Sequence, residues 1–523
     1  VNPSPDGNTV FAPNGMVCSV DHLASSAGVA VLRAGGSAAD AAITTSAVLA
    51  VTTQHMCGLG GDLFALVHHG DPVPAALSAA GFAGSGADAA AMRAEGLTEI
   101  PMRGDVRAVT VPGCVDGWLD LHERFGRLPL AQVLSAARDY AEHGFPASPL
   151  LARAARMVAD VPGTEDYRRD GGLRAGDLVR RPLVAGVLDA IVRAGRDGFY
   201  GGAFGRGLLE VGGGLFSDED LVRPLARWDT PLSVEAWDHE IWTVPPPSQG
   251  YLALAGAAIA DGLALPDDPD DGAWAHLLAE AARWAAHDRD AVLFDGADGA
   301  ALLSADDLDA RRAGIDPDRR TSPTAPARAG GTIHLCTADS DGMGVSLIQS
   351  NAAGWGAHLV VPGTGIFLQD RGIGFTLQPG HPNELVPGRR PLHTLSPALV
   401  TRGGRLSMVL GTMGGDIQPQ VVLQLLARLL RNSESPGRAI AAPRWSIGEG
   451  GFDTWAGDGP QTTTIEADAP ASWENGLSDR GHVVVRADPQ ANAGHAHVIT
   501  LTGNGVLAGA SDPRALTGAA VGW

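Results

Sequence analysis

Lysine is absent from this chain, and all 38 basic side chains are arginine. That absence excludes Schiff-base enzymes, a pyridoxal-phosphate anchor and a P-loop phosphate lysine, because each needs a primary side-chain amine. GC-rich coding accounts for it without any function, but the exclusion stands whatever its cause. The amines that remain are α-amines, at Val1 or at a new chain terminus. Positive charge is scarce altogether: the formal net charge is -21 and the pI is near 5.1, which argues against a nucleic-acid surface. Cys18, Cys57, Cys114 and Cys336 are far apart with no metal-binding spacing, so they read as reduced, buried thiols of a cytosolic protein. No apolar run reaches the length of a membrane span, and no charged segment followed by an apolar one opens the chain. A cytoplasmic location is expected. Because the chain begins with Val, an export signal that has been removed is left open.

What is present describes a folded α/β protein: 523 residues, 45% hydrophobic, with 70 Gly and 35 Pro. A small-molecule partner is the default expectation. His22 to Ala34 reads as a helix stopped by Gly35-Gly36, and Ser37 caps a second, mostly apolar helix from Ala38 to Val51. The glycine loop Cys57 to Asp62 leads into a strand near Leu63 to His68, with no context for phosphate binding. Residues 120 to 300 carry Ala/Leu/Arg helical patterns and read as scaffold. The tract Gly314 to Gly331, with Pro317, Pro323 and Pro326, reads as a cleavable connector.

Thr332 follows Gly330-Gly331 at the end of that tract and opens an apolar run. Cutting the Gly331-Thr332 bond would give one residue both a nucleophilic hydroxyl and a free α-amine to deprotonate it. Such an amine has a pKa of roughly 8. The bland alternative is an ordinary β-branched strand residue. Ser340-Asp341-Gly342 marks a hairpin tip; if the hairpin is symmetric about Asp341, Ser350 lies opposite Thr332. Opposed side chains sit about 4.5 to 5.5 Å apart at Cβ, close enough for a hydroxyl pair.

Further segments complete the pattern: LRAGGSAADAAI at 32 to 43, LAVT at 49 to 52, GLGGD at 58 to 62, VPGCVDGW at 111 to 118, VPPPSQG at 244 to 250, PGRRPLHTLSPALV at 387 to 400, GTMGGD at 411 to 416 and ASDPR at 510 to 514. In this order, with GTIHLCTADSDG at 331 to 342 between them, they resemble the gamma-glutamyltransferase (gamma-glutamyltranspeptidase) family of N-terminal nucleophile (Ntn) hydrolases. The resemblance implies an α+β fold, a four-layer αββα sandwich formed jointly by two autoproteolytic subunits. These would be a large subunit, 1 to 331, and a small one, 332 to 523. It implies Thr332 as nucleophile, Ser350 as its hydroxyl neighbour, and Gly414-Gly415 as backbone donors to the oxyanion; such donors contribute roughly 2.7 to 4 kcal/mol each. Asn351 falls near a family amide that contacts nucleophile and substrate.

The departures from the family concern the substrate. The arginine that grips a glutamyl α-carboxylate would fall near Ala80, the aspartate for the α-amine near Gly374, and a serine pair appears as His393-Thr394. Arg371 and Arg390 remain as carboxylate clamps, and His393 and Thr394 as further substrate contacts. For either arginine a structural ion pair is the competing reading, as packing is for His393. The expectation is therefore a self-processing Ntn hydrolase that cleaves an amide or acyl bond of a small anionic substrate, with no cofactor and no metal. His495 and His497 lack accompanying metal ligands at suitable spacing. Cleavage of a C-C bond beside a keto acid, gamma-glutamyl transfer, and an inactive scaffold are the alternatives. A homodimer is allowed for, whereas nucleic acid and membrane are not expected as partners.

Overall fold

A computed structural model describes residues 7–321, 331–448, 462–488 and 494–523. At its centre lie two seven-stranded sheets. The first runs, in spatial order, through Ala519–Gly522, Gly15–Ser19, Gly331–Asp339, Gly344–Ala352, Asp62–His68, Ala75–Ala79 and Arg227–Asp229. The second runs through Val10–Ala12, Leu507–Ser511, Ala496–Leu501, Arg405–Thr412, Ala398–Arg402, His239–Thr243 and Leu232–Ala236. Each sheet takes strands from both sides of Thr332.

Side-chain alternation builds the layers, because successive residues of a strand face opposite sides of a sheet. In the first sheet Leu63, Ala65, Val67, Ile333, Leu335, Val345 and Leu347 face outward. There they join one core with residues of helices Ala38–Thr52, Cys114–Phe125 and Pro182–Phe199. Their neighbours Phe64, Leu66, Cys336, Ala338 and Ile348 face inward and meet Trp242, Leu399, Val409 and Ile499 of the second sheet. The outer face of the second sheet, including Ile241, Val400, Leu410 and Val498, is covered by Tyr251–Asp261, Gly272–Ala286 and Gln418–Leu426. The result is the expected αββα sandwich.

Most local expectations hold. The first two helices span His22–Arg33 and Ala38–Thr52. Ser37 and Asp40 form a reciprocal capping box, and all fifteen residues of the second helix are buried. The four cysteines are free and buried. No helix among the described residues is long and apolar enough to cross a membrane.

Two expectations are refined. The section from 120 to 300 is dominated by helices, as expected, but it also supplies the strands Arg227–Asp229, Leu232–Ala236 and His239–Thr243. The connector is anchored where it begins. The His276 ring nitrogen Nε2 bonds the Asp316 carbonyl at 2.9 Å, and Glu280 accepts from the Thr321 amide at 2.8 Å and from its hydroxyl. The rest of the connector expectation, 322–330, lies outside the described residues.

The inter-sheet layer is close-packed, so removing volume there leaves a cavity. Ile348→Ala is expected to cost about 2–5 kcal/mol, read as a lower urea midpoint at unchanged slope.

Burial also pushes the imidazoles of His55, His482 and His497 down to about 3, and those of His393 and His495 to about 4. These rings are neutral when folded, whereas in the unfolded chain they take up protons below about 6.5. Their contribution is therefore complete above that value and lost as pH falls toward 4 and 3. Burial raises the Asp370 carboxyl to about 6, which acts in the opposite sense. Burial also raises the carboxyls of Asp21, Asp120, Asp166 and Asp339, but it lowers His276, His334 and His358 as well, so the lowered imidazoles outnumber the raised carboxyls. The melting temperature is expected to be level from pH 8 to 7 and to fall already between about pH 6.5 and 5, above the ordinary carboxylate range. A level profile down to pH 5 would contradict neutral burial of these rings.

Candidate active site

Thr332 opens the hairpin Gly331–Asp339 and Gly344–Ala352. The register from Ile333↔Gln349 to Ala338↔Gly344 is the one expected from symmetry about Asp341, but Gly331 pairs with Ala352. The extra residue lies on the second strand, where Ser350 and Asn351 together oppose the single residue Thr332, a β-bulge of the kind that re-aims a side chain. The hydroxyl pair forms nonetheless. Thr332 Oγ1 donates to Ser350 Oγ at 3.1 Å, with both residues fully buried. Ser350 Oγ also accepts from the Ala352 amide at 2.8 Å and from Arg371 Nη2 at 3.3 Å. With its proton directed at Ser350, the Thr332 oxygen keeps its lone pairs for attack. Ala352 sits at φ +69, a left-handed conformation costly for a residue with a Cβ.

Gly414 and Gly415 follow the strand Arg405–Thr412 of the opposite sheet and have φ +137 and +63, which glycine alone adopts without strain. The turn is braced from behind. Gln249 Nε2 donates to the Gly415 carbonyl at 2.9 Å, Arg289 Nη2 donates to Gln249 Oε1 at 2.9 Å, and the same nitrogen reaches Asp416 Oδ1 at 2.8 Å. The two sheets are also pinned directly beneath Thr332. Ser346 Oγ donates to the Leu410 carbonyl at 3.0 Å, and His334 lies so close to Gly411 that a Cβ there would be 2.6 Å from its ring.

Arg371 is only 2% exposed. Its guanidinium donates to Ser350 Oγ at 3.3 Å and to Thr394 Oγ1 at 3.2 Å, and Nε has no partner. Burial lowers its pKa to about 10 while Asp62, Asp370 and Asp416 favour the charge, so it is cationic at neutral pH. Two of those carboxylates are engaged elsewhere: Arg103 binds Asp370 at 2.9 Å and Arg289 binds Asp416 at 2.8 Å. Among the described residues, Arg371 has no ion-pair partner of its own.

The other expected substrate contacts fall differently. His393 Nε2 donates to Asp62 Oδ2 at 3.1 Å while Nδ1 accepts from the Leu395 amide at 3.4 Å, so both ring nitrogens serve the protein. Arg390 donates to the carbonyls of Ala80 and Leu225, both at 3.0 Å, which makes it a clamp between loops. Asn351 follows Ser350 in the bulge opposite Thr332; its Nδ2 donates to the Gln54 carbonyl at 3.2 Å, and its Oδ1 is buried without a partner among the described residues. A Cβ on Gly374 would lie 2.5 Å from the Leu392 carbonyl oxygen, leaving no room for an aspartate. His497 stacks on His334 between the sheets, with ring centroids 5.8 Å apart. His276, Glu280 and His482 do gather ligating atoms within 4.8 Å. Their lone pairs are used internally, however, by a 2.8 Å bond between the two imidazoles and by Arg283 and Thr321 on Glu280.

Sequence reasoning assigned no role to Asp62, Gln249, Gln369, Arg289 or Asp416. Asp62, Gln249 and Asp416 stand inside motifs already singled out, each beside the glycines that drew notice. Arg289 lies in the section read as scaffold, and nothing in its neighbourhood marks it.

A family model described as Gamma-glutamyltranspeptidase matches residues 24–522. An oxamate amidohydrolase proenzyme from Klebsiella pneumoniae subsp. pneumoniae is 36% identical, with 98% of each chain covered. A glutathione hydrolase-like YwrD proenzyme from Bacillus subtilis is 35% identical over 98% of this chain and 99% of its own. The crystal structure of a cephalosporin acylase from Bacillus halodurans superposes with a TM-score of 0.90 at 33% identity, covering 99% of this chain and 97% of that one. With a family model matched over nearly its whole length and relatives above 30% identity covering both chains, the chain belongs to the gamma-glutamyltranspeptidase family.

Proposed function

We propose that this protein is a self-processing Ntn amidohydrolase that cuts itself before Thr332 and then hydrolyses the amide of a small carboxylic acid. Arg371 carries the substrate part of this reading. It is a buried cation held only by hydroxyls, with one N–H unused, and an unpaired buried charge is costly until an anion meets it.

In the precursor, Thr332 Oγ1 attacks the Gly331 carbonyl carbon, the C–N bond breaks, and an ester joins Gly331 to Thr332. Water cleaves that ester. The products are a large subunit of residues 1–331 and a small one beginning at Thr332, which carries the new α-amine. In turnover the hydroxyl attacks the substrate carbonyl and its proton passes to that amine. The amide N–H groups of Gly414 and Gly415 receive the oxyanion. The proton then moves to the departing amine, the C–N bond breaks, and water, deprotonated by the same α-amine, releases the acid.

The place of Arg371 also limits the substrate's length. Its guanidinium shares Ser350 Oγ with Thr332, so a carboxylate bound there lies close to the reacting carbon. Oxamate joins carboxylate and amide directly, whereas a gamma-glutamyl group separates them by three carbons and needs contacts that Ala80 and Gly374 do not supply. The relative named for oxamate supports the same choice.

Purified protein is expected to run as two pieces on a denaturing gel, the smaller with N-terminal sequence Thr-Ile-His, while Thr332→Ala stays one chain and is inactive. Turnover by that variant would remove Thr332 as the nucleophile. Charge-assisted hydrogen bonds contribute about 1.5–3 kcal/mol, so Arg371→Met should lower kcat/KM for oxamate roughly 10- to 100-fold. An unchanged value, or robust transfer from a gamma-glutamyl anilide, would overturn the substrate assignment.

A further inference from the structure

Asp62 opens the strand Asp62–His68 directly opposite Ser350, so the first sheet presents Thr332, Ser350 and Asp62 side by side on three neighbouring strands. Its carboxylate is fully buried and surrounded by donors. Oδ1 accepts from the Gly81 amide at 2.9 Å, the Gly113 amide at 3.2 Å and Gln369 Nε2 at 3.0 Å, and Oδ2 accepts from His393 Nε2 at 3.1 Å. Two of these donors flank the binding of Arg371. Gln369 stands two residues before Arg371 in the chain, and His393 immediately precedes Thr394, whose hydroxyl accepts from the guanidinium. The guanidinium's other partner is Ser350, the cross-strand neighbour of Asp62. Asp62 thus stands among all the segments that orient the guanidinium without making an ion pair with it.

The chemistry of those contacts requires a carboxylate. Every partner donates, and a carboxylate accepts through both oxygens. An asparagine would turn its NH2 either against His393 Nε2–H or against the three donors at Oδ1, leaving a buried clash of donors.

We propose that Asp62 is a positioning residue for anion recognition: through Gln369, His393 and Ser350 it holds the Arg371 guanidinium where a substrate carboxylate must bind. This rests on the reading of Arg371 as the carboxylate site. Asp62 touches neither the nucleophile nor the glycine turn, so its removal weakens selection for the anion more than it weakens chemistry.

Oxamate and oxamide form a matched pair that differ in one carboxylate exchanged for an amide. With processed Asp62→Asn, the ratio of kcat/KM for oxamate over oxamide should fall at least about tenfold, with the oxamide value changed less than about threefold. An equal loss for both substrates would make Asp62 a merely structural residue and overturn the proposal, as would an unchanged ratio. Should Asp62→Asn fail to fold or to process, His393→Leu removes one of the donors held by Asp62 and is expected to lower the same ratio; no change there would likewise overturn the proposal. Arg371→Met, measured alongside, separates the two claims. If its ratio stays at the wild-type value, the carboxylate site itself is misplaced; if its ratio collapses while that of Asp62→Asn does not, only the role of Asp62 fails.

Discussion

The contact between the two sheets governs everything else in this molecule. Facing sheets pack about 10 Å apart, and Thr332 belongs to one while the glycine turn belongs to the other. A nucleophile and its oxyanion donors must agree to within fractions of an ångström. The two sheets are fixed against each other just below Thr332, which on the proposed reading serves that agreement. Ser346 bonds the Leu410 carbonyl across the gap, and His334 fills the space over Gly411 so completely that no side chain fits there. Both contacts come from the nucleophile's own hairpin and end on the strand that leads to Gly414. On that reading, precision at the reacting atoms is inherited from core packing.

Electrostatics add a second constraint. Several charges are buried around the site, and they are sorted by what they hold. Arg103 with Asp370 and Arg289 with Asp416 are closed pairs that fix loop geometry. Asp62 is surrounded by neutral donors. Arg371 alone in this group has hydroxyls for partners, which bind without cancelling its charge. The low dielectric that makes such a cation expensive also makes its attraction for an entering anion strong. On the proposed reading, that attraction is the source of the site's selectivity for an anion.

Much of this was legible in the sequence, and the remainder was hidden for definite physical reasons. The hairpin register followed from a turn signal and a period of two, both local properties of the chain. The bulge at Ser350 and Asn351, opposite Thr332, was not legible, because it depends on how Ala352 leaves the sheet. The hydroxyl pair survived the bulge since a short side chain can swing through a small displacement. Arg371, Arg390 and His393 looked alike in sequence, as polar residues within plausible motifs. Only tertiary contacts separate them: Arg390 ends on two backbone carbonyls and His393 on a carboxylate and an amide, whereas Arg371 keeps an N–H without a partner. Arg289 lies far from Gly414 along the chain and had no local mark at all.

The absence of lysine gains meaning from this geometry. On the proposed mechanism the α-amine of Thr332 is the base for turnover, yet in the precursor it is bound in the peptide that must be broken. Self-cleavage therefore proceeds without it, and the neutral buried histidines do not replace it: the hydrogen-bond partner of Thr332 Oγ1 is Ser350. The positive guanidinium over Ser350 lowers the basicity of that oxygen and favours negative charge beside it, so on the proposed reading it stabilises charge that develops on the hydroxyl pair as Thr332 gives up its proton. On the proposed reading the first reaction therefore relies on hydroxyls and a nearby cation, and its product is the amine that serves every later turnover.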